Sequence, residues 1–79
     1  MFKKSFYPSR ETVERLRKQY PVGCRVMLDH MDDPYSKIPE GTLGTCKGVD
    51  DIGSIMVHWD CGSSLSVVYG EDRCHRVDL

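Results

Sequence analysis

The sequence predicts a small, mainly β domain: a barrel of four to five short strands with one short N-terminal α-helix. Three observations carry this. The chain has 79 residues, and domains typically run to about 100–150, so it holds one domain at most. After Pro21, short segments of alternating apolar and polar residues recur at roughly ten-residue spacing, separated by glycine, aspartate and proline; that is the pattern of a small all-β fold. Before Pro21 the apolar residues follow a helical period instead. A content of 39% hydrophobic and 29% charged residues is ordinary for a soluble globular domain and argues against disorder.

Residues 1–8 are expected to form a flexible N-terminal arm, and residues 9–79 a single domain with its helix over 9–19 and its barrel over 22–78. Phe2, Phe6 and Tyr7 are too apolar for a purely solvated tail, so some of them are expected to dock on the domain or a partner. Ser9 is placed to cap the helix, its hydroxyl meeting the free amides of the first turn. In RETVERLRKQ, residues 10–19, Val13, Leu16 and Tyr20 form a narrow apolar stripe. Glu11 with Arg15 and Glu14 with Lys18 stand at i, i+4 in the favourable orientation, and Pro21 blocks further helix.

Arg25–Asp29 reads as the first strand. A long polar loop from His30 to Gly41 follows, its two prolines and paired aspartates excluding regular structure. Residues 42–49 form a second strand bent at Gly44 and Gly48, and Asp50 to Gly53 a turn. Ile55, Val57 and Trp59 alternate with polar positions in a half-buried third strand. Asp60-Cys61-Gly62-Ser63 makes a tight turn with Gly62 at positive φ. Leu65–Tyr69 and Arg73–Val77 complete the set, joined through Gly70-Glu71-Asp72. Val26, Leu28, Ile55, Val57, Trp59, Leu65 and Val67 are the expected core. Whether Val67 or Val68 faces inward stays open, because one bulge reverses the alternation.

The charge is asymmetric. Residues 1–25 carry Lys3, Lys4, Arg10, Arg15, Arg17, Lys18 and Arg25 against Glu11 and Glu14, a net +5; four cations against ten carboxylates leave residues 26–79 at −6. Four cysteines, Cys24, Cys46, Cys61 and Cys74, include no C-x-x-C. The close pairing that structural zinc uses is therefore missing, and four reduced thiols and no metal are expected. No apolar run reaches the ~18 residues of a membrane span and no signal pattern opens the chain, so a cytoplasmic protein is expected.

Catalytic motifs are missing too. His30, His58 and His75 stand beside no recognisable nucleophile, and Ser63 and Ser64 lie in a turn without the strand–turn–helix context of G-x-S-x-G. Gly41-x-x-Gly44 is not followed by a helix, so it cradles no phosphate. The chain is expected not to be an enzyme and to use no cofactor.

Six pieces stand in order over residues 15–77: Gly23-Cys24-Arg25-Val26, Met31-Asp32-Asp33-Pro34-Tyr35, Gly41-Thr42-Leu43-Gly44-Thr45, Val49-Asp50-Asp51-Ile52-Gly53, Val57-His58-Trp59-Asp60 and Gly62-Ser63-Ser64-Leu65. Together they resemble domain-of-unknown-function family 4314, a family of small bacterial and phage-borne domains. The resemblance carries no assigned activity. It implies a passenger of Gram-positive bacteria, their phages and conjugative elements. G-x-R-V, G-T-x-G-T and V-x-W-D-x-G-S are also similar to the Mind-bomb repeat and related SH3-like barrels. That likeness implies an SH3-like barrel that holds extended peptides or nucleic acid without catalysis.

The expected function is non-enzymatic binding: a phage or mobile-element accessory protein that contacts a host protein or peptide, inhibition of a host defence component included. The candidate contacts are Asp32, Asp33 and Tyr35 in the long loop, Trp59, Asp60 and Ser63 at the end of the third strand, and Tyr69. A long loop in so small a domain is a natural binding element. Capture of a small nucleotide between subunits of a homo-oligomer would use Tyr35, Trp59 or Tyr69 with Arg25 or Arg73. The alternative is nucleic-acid binding through Arg10, Arg15, Arg17 and Lys18 of the helix with Arg25, which would lose affinity steeply with salt.

Overall fold

The computed structural model describes residues 8–32 and 38–77. Of the expected arm only Pro8 falls among them; Asp33 and Tyr35 lie outside the described residues. Helix α1 spans Arg10–Gln19. Ser9 caps it as expected, its Oγ accepting from the Thr12 amide at 3.1 Å. A helix of this length is marginal alone, and three contacts hold it. Val13 is buried, Tyr20 is buried at the helix end, and Leu16 packs against the same core. Arg17 adds a tertiary tie: Nε donates to the Val49 carbonyl at 3.0 Å and Nη2 meets Asp51 Oδ1 at 2.7 Å. The expected Glu11–Arg15 and Glu14–Lys18 pairs are not among the ion pairs of the described residues; the helix spends Arg17 on the body instead.

Five strands follow: β1 Arg25–His30, β2 Leu43–Val49, β3 Ile55–Trp59, β4 Ser64–Val67 and β5 Arg73–Val77. They form one antiparallel sheet in the order β4-β3-β2-β1-β5. Four consecutive strands meander and the fifth returns beside the first, the strand order of an SH3-like barrel. Two register shifts, at Leu28/His30 and Cys46/Gly48, curl the sheet. At the second, Gly48 holds φ 140°, a conformation other residues avoid. Gly44 serves a different need: a Cβ there would sit 2.6 Å from Val57 Cγ1 and 2.7 Å from Trp59 Cε3. Its bare backbone lets β2 lie directly on the indole.

No ladder joins β4 to β5 among the described residues. Residues 68–72 bridge the two edges as a turn, with the Glu71 and Asp72 amides both donating to the Val68 carbonyl, at 3.0 and 2.9 Å. That turn also ends β4 at Val67, short of the expected Tyr69.

The core follows the alternation in β1 and β3: Val26, Leu28, Ile55, Val57 and Trp59 are buried. Val67 faces inward at 3% exposure and Val68 outward at 38%. Leu65 is only half-buried against the core. Val13, Tyr20, Ile38, Cys46 and Val49 complete it. No helix among the described residues is long and apolar enough to cross a membrane.

Candidate functional site

Trp59 must be corrected as a ligand contact. It is 0% exposed, and its Nε1 donates to the Leu65 carbonyl at 3.1 Å, so the indole meets the core and not a ligand. Asp60 and Arg25, expected to grip a ligand or to touch phosphate, instead engage each other. Arg25 Nη1 and Nη2 donate to Asp60 Oδ1 and Oδ2 at 2.9 and 2.5 Å, and Nη1 also to Thr45 Oγ1 at 2.9 Å. This two-pronged pair spans β1, β2 and the end of β3. Ser63 is half-buried and accepts the Trp59 amide through its backbone carbonyl at 2.8 Å.

The hydrogen bonds and charge of Arg25 hold the Asp60 carboxyl below the usual carboxylate range, and Asp60 raises the Arg25 guanidinium in turn. A carboxyl whose pKa falls on folding contributes stability that is present above its unfolded value, ~3.9 for Asp, and lost as pH drops through the folded value. Asp60→Asn is therefore expected to lower stability modestly at neutral pH, with the difference from wild type vanishing in acid. Urea midpoints across a pH series measure this; a gap that persists once Asp60 is protonated would assign the loss to packing.

The cations expected to bind nucleic acid do not form one patch. Arg17 and Arg25 are tied to Asp51 and Asp60. Arg10, Arg15 and Lys18 stay on the exposed helix, Arg15 reaching Thr12 Oγ1 at 3.5 Å. The histidines take surface partners: His30 with Glu40, His75 with Asp29, and His58 with Ser64, its register partner on β4. No group of three or more His, Cys, Asp or Glu residues suited to a metal ion occurs among the described residues.

The chemistry gathers instead where the sheet fails to close. Between the β4 and β5 edges lies a groove of about 390 Å³. Leu16 of α1 and its C-cap Tyr20 line it together with the buried Ile55 and Val67 and the exposed Tyr69 and Arg73. Tyr69, a candidate from the sequence, is 45% exposed here. Tyr20 is fixed by its hydroxyl donating to the Cys74 carbonyl at 3.4 Å, and burial raises its pKa. Asp72, read from the sequence only as a turn residue, sets the far wall. Its Oδ1 accepts the Asp32 amide at 2.7 Å and its Oδ2 the Val68 amide at 2.9 Å. The buried carboxylate thereby ties the β4 edge to the end of β1. Of the loop candidates, Asp32 enters through this backbone bond while its side chain is exposed.

A family model, domain of unknown function DUF4314, matches residues 9–77. The chain belongs to this family. The match takes in α1 and all five strands, so both groove walls are part of the DUF4314 domain. No curated protein and no solved structure matches the chain. The likeness to Mind-bomb repeats thus rests on the sequence motifs alone, and the SH3-like order on the strand pairing of this DUF4314 domain.

Proposed function

We propose that this DUF4314 protein is a non-enzymatic binding module whose β4–β5 groove takes an extended, apolar and acidic segment of a partner protein. One observation carries the reading: two sheet edges without strand partners among the described residues border an apolar groove with an exposed aromatic and a cation at its rim. An unpaired edge offers amides and carbonyls to an incoming strand. Leu16, Ile55 and Val67 would receive alternate apolar side chains of that strand. Tyr69 has the amphipathic character of an interface anchor. The Arg73 side chain has no hydrogen-bond or ion-pair partner among the described residues, which favours a carboxylate on the incoming segment.

The family resemblance to phage and mobile-element domains supports a host protein as the source of that segment. Nucleotide capture loses Trp59 to the core and Arg25 to Asp60. Nucleic-acid binding keeps only Arg10, Arg15 and Lys18.

Selection from a displayed library of alternating apolar and acidic peptides tests this, with affinities read by fluorescence anisotropy. Tyr69→Ala and Arg73→Ala are each expected to weaken the selected peptide at least about tenfold, the loss typical of an interface hot spot, with the melting temperature unchanged. No selected binder, or binders indifferent to both substitutions, would overturn the groove. Tight, steeply salt-dependent binding of a plain oligonucleotide would replace it with the nucleic-acid reading.

A further inference from the structure

We infer that Cys24 and Cys46 are an oxidation site: a cross-strand thiol pair set to close into a disulfide that pins the α1–β1 corner to β2. The strand register provides the geometry. Arg25 faces Thr45 across β1 and β2, so one step back Cys24 faces Cys46. The backbone bonds place a bulge here: the Cys46 amide donates to the Cys24 carbonyl at 2.8 Å and the Gly23 amide to the Cys46 carbonyl at 2.7 Å, so Gly23 and Cys24 together stand opposite Cys46. Opposed residues of antiparallel strands have Cα atoms about 4.5–5.5 Å apart, within the roughly 4.4–6.8 Å a disulfide spans.

The side chains agree as well. Cys46 is fully buried and Cys24 packs half-buried against the same core, so both point to one side of the sheet. The Cys46 thiol lies close enough to Cys24 to help raise its pKa, after burial. Cys46 Sγ further donates to the Tyr20 carbonyl at 3.3 Å, where α1 ends. The pair therefore sits where the helix hands over to the sheet, next to one groove wall but independent of anything the groove binds.

The other two cysteines lack this arrangement. Cys61 is exposed in the turn between β3 and β4, open to pairing between molecules. Burial pushes the Cys74 thiol up to about 12, so it stays protonated and a poor nucleophile.

Cys24 is the accessible member and the entry point for a low-molecular-weight disulfide as oxidant. Cys24 releases its proton and its sulfur attacks one sulfur of the oxidant, expelling the first thiolate. Cys46 then releases its proton and attacks Cys24 Sγ, expelling the second. One S–S bond forms in the protein and one breaks in the oxidant. Two electrons pass to the oxidant, and the two protons end on its thiols. Burial raises the Cys24 thiol, so closure is slow at neutral pH and speeds as pH rises.

The test treats the full chain carrying Cys61→Ser with oxidised glutathione and maps the product by mass. The expected product is a monomer that has lost two hydrogens, carries the Cys24–Cys46 link and melts several degrees higher than the reduced protein, with a closure rate that climbs between neutral and alkaline pH. Because the map uses native Cys24 and Cys46, no core substitution has to fold. A glutathione adduct lasting on Cys24, a link from Cys24 to Cys74, or unchanged thiols in folded protein at alkaline pH would each overturn the assignment.

Discussion

Trp59→Ala is expected to leave the chain largely unfolded at room temperature. The indole is fully buried and packs against the backbone of Gly44, which leaves no room for even a methyl group. Its removal opens a cavity in the buried core, and truncating a buried aromatic costs about 3–5 kcal/mol. It also removes the indole's hydrogen bond to the Leu65 carbonyl, a further loss of about 0.5–1.5 kcal/mol. A domain this small holds a total of only about 5 kcal/mol or somewhat more. Trp59→Phe separates the two contributions, keeping much of the ring volume while losing the Nε1 donor, and should fold with a lowered urea midpoint. Near-ultraviolet circular dichroism and urea unfolding of both variants decide it. A Trp59→Ala protein with an almost unchanged melting temperature would mean that the indole lies outside the core.

The parts of this fold that local chemistry controls are readable in the chain. Ser9 and Pro21 bracket α1, and Ile55, Val57 and Trp59 alternate as a half-buried strand must. The parts that depend on register are not. Arg25 meets Asp60 across 35 positions of sequence, and nothing near either residue marks the other. Val67 could not be told from Val68 until the turn fixed by Asp72 ended β4. The groove is the extreme case. Tyr69 stood out as an aromatic candidate, and Ile55 and Val67 as core, yet the opening that unites them exists because β4 and β5 do not pair. An omitted ladder leaves no sequence signature. Asp72 did leave one: an acceptor-only side chain directly after Gly70-Glu71 suits the free amides of a turn, although nothing local shows that it also reaches β1.

Asp72→Ala is the second large effect expected, and it links stability to the groove. The carboxylate is buried and accepts two amides, Asp32 from the end of β1 and Val68 from the end of β4. With no ladder between the β4 and β5 edges, this one side chain, on the residue just before β5, ties the end of β4 to the segment that follows β1. Alanine leaves both amides without an acceptor, at about 1–3 kcal/mol for each that water does not reach, so a loss of about 2–4 kcal/mol is expected in urea unfolding. Asp72→Asn keeps the shape but offers one oxygen to two donors and turns an NH₂ toward the other, so it should fall between alanine and wild type. Hydrogen exchange adds the local signature: the Asp32 and Val68 amides should exchange much faster in Asp72→Ala while the amides within β2 and β3 slow or hasten only with global stability. Because Tyr69 and Gly70 ride on the turn that Asp72 anchors, Asp72→Asn should also weaken a groove-bound peptide while the protein remains folded. Tyr69→Ala should weaken that peptide without changing the exchange of the two amides. An Asp72→Ala protein within about 0.5 kcal/mol of wild type, the range of an ordinary surface substitution, would mean that the seam is held by something other than this carboxylate.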